Sequence, residues 1–174
     1  RLIYLSHPEV RIDPAVPVPD WSLSARGIAR ATALGRRWQV VRHGRGARLL
    51  SSPERKAQET AGILAHHWGV TAQVLEGSGE VDRSATGYVP PARHEALAEA
   101  LFARPEESAG GWETALAAQQ RIVAAVAGLE GEVILVGHGG VGTLLYCHLA
   151  GLAISRGLDQ PGQGHGWCWS ADGI

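Results

Sequence analysis

Short apolar runs alternating with alanine-rich helical stretches predict an α/β protein, a three-layer α/β/α sandwich around a mainly parallel sheet. Two further observations support that class. Val133-Ile134-Leu135-Val136 is β-branched and uncharged, as a strand buried on both faces requires. Three of the predicted strands also end at polar groups, Ser6-His7, Ser51-Ser52 and Gly137-His138, and ligands of open α/β sheets bind beyond such carboxyl ends. The length of 174 residues suits one domain spanning residues 1–174.

In chain order, Leu2-Ile3-Tyr4-Leu5 reads as the first strand, followed by a surface loop from Arg11 to Asp20 whose Pro14, Pro17 and Pro19 exclude helix. Ser24 is an N-cap for a helix with Ile28, Ala31 and Leu34 at helical spacing, running to about Trp38. A second strand is predicted over Ala47 to Ser51, a helix from about Pro53 to Trp68, and a third strand at Gln73-Val74-Leu75. Glu76 to Pro91, rich in Gly, Pro, Ser and Asp, is a long irregular connection of the kind that carries function. Helices follow at Ala92 to Ala103 and Trp112 to Leu129, then the Val133 strand, a helical run to Ala150, and a last strand at Trp167-Cys168-Trp169.

Hydrophobic residues make up 45%, charged residues 19%, and the mean hydropathy is −0.05, with no apolar run approaching a membrane span. The formal charge of −1 excludes a partner recognised by bulk charge, so neither nucleic acid nor an anionic membrane is expected. Cys147 and Cys168 read as buried thiols, which fits a reducing, cytoplasmic setting. No Cys/His or carboxylate cluster has metal-ligand spacing, and no metal or cofactor is expected.

The chemistry collects at the strand ends. A lone strand-end histidine is usually structural, but His7 and His138 stand at equivalent ends, with Lys56 in the first turn of the helix between them. Two imidazoles, one ammonium and a helix amino end describe a phosphate pocket.

With these residues the chain resembles the histidine phosphatase superfamily, the phosphoglycerate-mutase-like enzymes, over nearly all its length. Ser6-His7-Pro8 stands where the family has Arg-His-Gly. Trp21 to Gly27 is similar to its Leu-Ser/Thr-x-x-Gly segment, and Ser52-Pro53-Glu54-Arg55-Lys56-Ala57 to its Ser-Pro-x-x-Arg-Ala segment. Glu80 matches the loop glutamate, Gly110 to Glu113 the Gly-Gly-Glu helix start, and Val136-Gly137-His138-Gly139-Gly140 the second-histidine motif. Arg42-His43-Gly44 spells the opening tripeptide but leaves too little chain before Ser52 for the intervening helix, and is read as a connector.

The resemblance implies a phosphomonoester hydrolase working through a phosphohistidine on His7, with a phosphomutase and a non-catalytic binder of phosphorylated ligands as the alternatives. His138 and Lys56 would neutralise the equatorial oxygens, and Glu80, shielded enough to hold a proton near neutral pH, would protonate the leaving alkoxide and then activate water. Ser6 and Gly139 complete the expected phosphate site, with Arg83, or failing it Arg11, supplying charge lost where Ser6 and Lys56 replace arginines. The implied partner is a phosphorylated small molecule or phosphoprotein. His66, His67 and His94 are read as surface residues and His148 as packed within its helix.

Overall fold

The computed structural model describes residues 1–38 and 46–170, so Arg42-His43-Gly44 lies outside the described residues. The sheet holds β1 (Leu2–Ser6), β2 (Arg48–Ser51), β3 (Ala72–Val74), β4 (Val133–Gly137) and β5 (Gly166–Trp169) in the order β3-β2-β4-β1-β5. β3, β2, β4 and β1 are parallel, and β5 runs antiparallel on the outer side of β1. The helices are α1 (Ala25–Trp38), α2 (Arg55–Trp68), α3 (Pro91–Ala103), α4 (Ala115–Val126) and α5 (Gly139–Leu149). The expected sandwich is therefore present, with element ends displaced by a residue or a few.

Strand alternation divides the core. Leu5, Leu49, Ile134 and Val136 meet Ala57, Ala61 and Leu64 of α2, with Leu34 and Trp38 of α1 beside them. On the opposite face Tyr4, Leu50, Val133 and Leu135 pack on Ile122 of α4 and on Val141 and Leu145 of α5. A third cluster, with Val81, Val89, Leu101, Phe102, Trp112 and Leu144, anchors the long connection between β3 and α3 against α3, α4 and α5. Anchoring it at Val81 and Val89 fixes Arg83 between them and Glu80 just before the first.

Helix ends follow local chemistry. The Ser24 hydroxyl accepts the Gly27 N–H at 3.0 Å and donates to Glu9 at 2.7 Å, capping α1 as expected. The proline loop is less plain than its sequence. Val18–Asp20 forms a 3₁₀ turn and Val10 pairs with Leu23, because prolines that forbid a long helix still permit a single tight turn. Two thiol and histidine expectations need correcting. Cys168 is exposed beside Arg1 because β5 is an edge strand, and His148 is exposed because it lies on the outer face of α5. No helix among the described residues is long and apolar enough to cross a membrane.

Candidate active site

The parallel pairing of β1 with β4 places Ser6 opposite Gly137, so the next residues, His7 and His138, leave the sheet side by side. Their ring centroids lie 5.2 Å apart, edge to face, and both side chains are buried. His7 Nδ1 lies 2.8 Å from the Pro8 carbonyl, which can only accept, so Nδ1 carries the proton and Nε2 keeps its lone pair. Burial pushes the His7 pKa down to about 3, helped by His138 and Lys56 and opposed by the Pro8 carbonyl. The ring is neutral at physiological pH.

His138 is set by Tyr4 and Ser52. The Tyr4 hydroxyl donates to the His138 carbonyl at 3.0 Å and accepts its N–H at 2.9 Å, while the ring stacks on Trp167. Gly137 and Gly142 make room for this phenol, since a Cβ on either would sit 2.2 Å from its oxygen or 2.4 Å from its ring. Sequence reading gave Tyr4 only a place in a strand; the signal was these two glycines flanking the second histidine. Tyr4→Phe keeps the stack but orphans the buried His138 N–H, while the carbonyl retains the Gly142 N–H. We expect a loss of about 1–3 kcal/mol, read from urea unfolding; an unchanged midpoint would mean that the hydroxyl contributes nothing.

Ser52 Oγ lies 2.6 Å from His138 Nε2, and His138 Nδ1 is buried with no hydrogen-bond partner among the described residues. Burial also lowers the His138 pKa, against the pull of Glu54 and Glu80.

Lys56 is buried in the first turn of α2, with Nζ donating to the Val18 carbonyl at 2.8 Å and to Glu54 Oε2 at 2.5 Å. Its charge is therefore already matched. Glu54, which the sequence reading passed over, reaches Lys56 with one oxygen. The other accepts the Glu80 N–H at 2.8 Å and lies 3.6 Å from His138 Nε2. Burial raises the Glu54 pKa, but His138 and Lys56 outweigh it and hold the carboxyl at about 2.

Glu80 departs from expectation. Its carboxylate accepts the N–H groups of Gly140 at 3.0 Å and Val141 at 2.8 Å, at the amino end of α5, and that of Val81 at 3.0 Å. Burial favours the acid form, yet His138, Arg83 and the Val81 N–H outweigh it and lower the pKa. The resting group is an anion at a helix terminus and carries no proton at neutral pH.

Ser6 also has another use. Its hydroxyl lies 2.7 Å from Gln160 Oε1 and 3.1 Å from the His165 carbonyl, and accepts the Gly164 and His165 N–H groups at 3.2 Å. These partners saturate the oxygen and bind β1 to the segment before β5, leaving it nothing for phosphate. Gly139, in contrast, opens α5 with no atom within 4 Å of where a Cβ would stand.

Arg83 meets His94 Nε2 at 2.5 Å and lies over Trp112 at 5.5 Å, so His94 is half-buried rather than a surface residue. Arg83 and both carboxylates line a cavity of about 540 Å³ roofed by Pro17, Val18 and Pro19. Arg11 is exposed, and its main-chain N–H donates to the Ser22 carbonyl at 2.9 Å. Among the described residues, no group of three His, Cys, Asp or Glu is placed to hold a metal ion.

Similarities to known proteins agree with this architecture. A mycobacterial protein described as hydrolase 1 is 20% identical with a TM-score of 0.75, over 95% of this chain and 88% of that one. Phosphoserine phosphatase from Entamoeba histolytica, solved with 3-phosphoglyceric acid, is 16% identical with a TM-score of 0.73, over 95% and 87%. Mycobacterial glucosyl-3-phosphoglycerate phosphatase, solved with VO3, is 21% identical with a TM-score of 0.69, over 94% and 87%. At these identities the likeness is one of fold. No curated protein matches the sequence. The profile of the histidine phosphatase superfamily (branch 1) matches residues 12–169, which is most of the chain, and the protein belongs to that superfamily.

Proposed function

We propose that the protein hydrolyses phosphomonoesters by transferring the phosphoryl group to His7 and then to water. The observation that carries this reading is the His7 ring, neutral, buried 5.2 Å from His138, with Nδ1 committed to the Pro8 carbonyl and Nε2 left as nucleophile. The transition state is loose and needs mainly charge placement and donors. His138 offers a donor: with the Ser52 hydroxyl donating to Nε2, the proton resides on Nδ1, a buried N–H that an incoming oxygen would satisfy. Lys56 and Gly139, which opens α5 ahead of the two N–H groups held by Glu80, stand beside it, and Arg83 faces the cavity where a leaving group would lie. Glu80, ionised at rest, is suited to activating the water of the second step. Membership of the superfamily and the phosphatases among the structural neighbours are consistent with this chemistry.

A second reading, binding of a phosphorylated small molecule or phosphoprotein without turnover, is favoured by one observation: Glu54 already occupies Lys56. Incubating the protein with a panel of phosphomonoesters, in the presence of a metal chelator, separates the two. Release of phosphate from at least one ester, together with an acid-labile phosphoenzyme, is expected. Saturable binding with neither would establish the second reading instead.

A further inference from the structure

We propose that Glu54 is a specificity-determining residue, an anion resident in the phosphate cradle that makes the site take a phosphoryl group in its protonated, singly charged form and reject the dianion. The inference rests on the site proposed above and concerns which form of phosphate that site admits.

The argument is one of charge and hydrogen-bonding capacity. Glu54 is not a surface carboxylate: its side chain is 11% exposed, and its oxygens divide between Lys56 on one side and the Glu80 N–H and His138 on the other. The groups facing it come from every neighbouring element. Among the described residues, Lys56 on α2 is the one lysine or arginine within ion-pair distance of Glu54, and it is already paired. His7 after β1 is kept neutral by burial, and burial disfavours the charged form of His138 after β4, against the pull of the two carboxylates. Glu80 adds a second carboxylate, fixed on α5. Arg83 is drawn toward His94 of α3 and Trp112, and Arg121 of α4 is held by Glu113 at 2.8 Å. The cradle thus presents two carboxylates against one matched ammonium. A dianion entering it brings only acceptors and would face them unscreened in a buried setting. A monoanion carries one P–OH, which donates to Glu54 and converts the repulsion into a charge-assisted hydrogen bond.

The same proton resolves a difficulty in the chemistry. Neither Glu54 nor Glu80 holds a proton at rest. As the bond from His7 Nε2 to phosphorus forms, the bond from phosphorus to the leaving oxygen breaks and its electron pair departs with that oxygen. The phosphoryl hydroxyl yields its proton through Glu54 to the leaving oxygen, which is released as an alcohol. The imidazole keeps its Nδ1 proton and carries a dianionic phosphoryl group, so charge is conserved.

The test is calorimetric titration with phenylphosphonate, which has no ester bond to cleave and whose dianion, like that of a phosphomonoester, has no P–OH, at about pH 5.5 and about pH 8.5, where its monoanion and its dianion respectively prevail. Wild type, Glu54→Gln and Glu54→Ala are compared, the alanine variant guarding against a glutamine that merely replaces the Lys56 contact. The wild type is expected to bind at least about tenfold more tightly at the acidic pH. Both variants should gain at least about tenfold at the higher pH and lose the preference. The proposal is overturned if phenylphosphonate binds the wild type equally at both pH values, or if both variants bind no better, or not at all, at the higher pH. Phosphoenzyme trapping on the same samples keeps the two ideas apart. An acid-labile label on His7 from a phosphomonoester, with unaltered phenylphosphonate binding in the variants, sinks the role of Glu54 alone. A gain at high pH with no label in any sample sinks the transfer reading and leaves Glu54 as the gatekeeper of a binding site.

Discussion

His7→Ala is expected to lower kcat for phosphomonoester hydrolysis by at least about 10⁴-fold and to eliminate the acid-labile phosphoenzyme. No other imidazole in the site can take over. His138 has Nε2 engaged by Ser52, and its main chain is fixed by Tyr4 within a fully buried setting. His94 is held by Arg83 against Trp112. The effect should fall on kcat more than on phosphate affinity, since Lys56, His138 and the amino end of α5 remain. His43→Ala, in the tripeptide that spells the family's opening motif, serves as control and should stay near wild type. Steady-state kinetics and trapping under alkaline quench decide the matter; a His7→Ala protein that still turns over and still labels would show that the nucleophile is elsewhere.

Lys56→Ala is expected to destabilise the fold by about 3–5 kcal/mol at neutral pH, because it strands the Glu54 carboxylate in a buried site beside Glu80. Removing both charges, as in Lys56→Met combined with Glu54→Leu, should cost much less than the single change. The pH dependence has a definite sign. Glu54 is lowered from an ordinary 4.5 to about 2, so its pairing stabilises the protein fully above about pH 4.5 and is lost as the pH falls toward 2. In Lys56→Ala the carboxyl rises instead, and acid relieves it. The gap between wild type and variant is therefore widest near neutrality and narrows on acidification. Urea midpoints at neutral and acidic pH measure it, and a difference under about 1 kcal/mol at neutral pH would show that the pair is solvated.

The elements and the histidine pair were legible because their signals are local. A β-branched run, a serine cap and a proline at a helix start each act through near neighbours in the chain. The order β3-β2-β4-β1-β5 was not, since it depends on how the layers close. The site failed at positions whose partners are remote. Ser6 finds its partners some 154–159 residues away in the segment before β5. Glu54 occupies a position that the family motif leaves free, and only the approach of Lys56, Glu80 and His138 gives it meaning. Glu80 is legible only as the loop glutamate of the family pattern; its protonation depends on main-chain N–H groups of α5, which no residue type announces.

The position of β1 in the sheet has a consequence for biosynthesis. Its two neighbours are β4 and β5, so the first strand has no partner until the chain has been made to residue 133 and beyond. At about 5–20 residues per second, ribosomal elongation leaves Leu2 to Leu5 unpaired for on the order of ten seconds. During that interval β2, α2 and β3 can dock locally, while the two histidines remain more than a hundred residues apart along a partly folded chain. The proposed nucleophile and its companion meet only once the chain has been made past β4. A nascent or truncated chain thus lacks the paired histidines, and closure of the β1–β4 pair is the step of folding that brings them together.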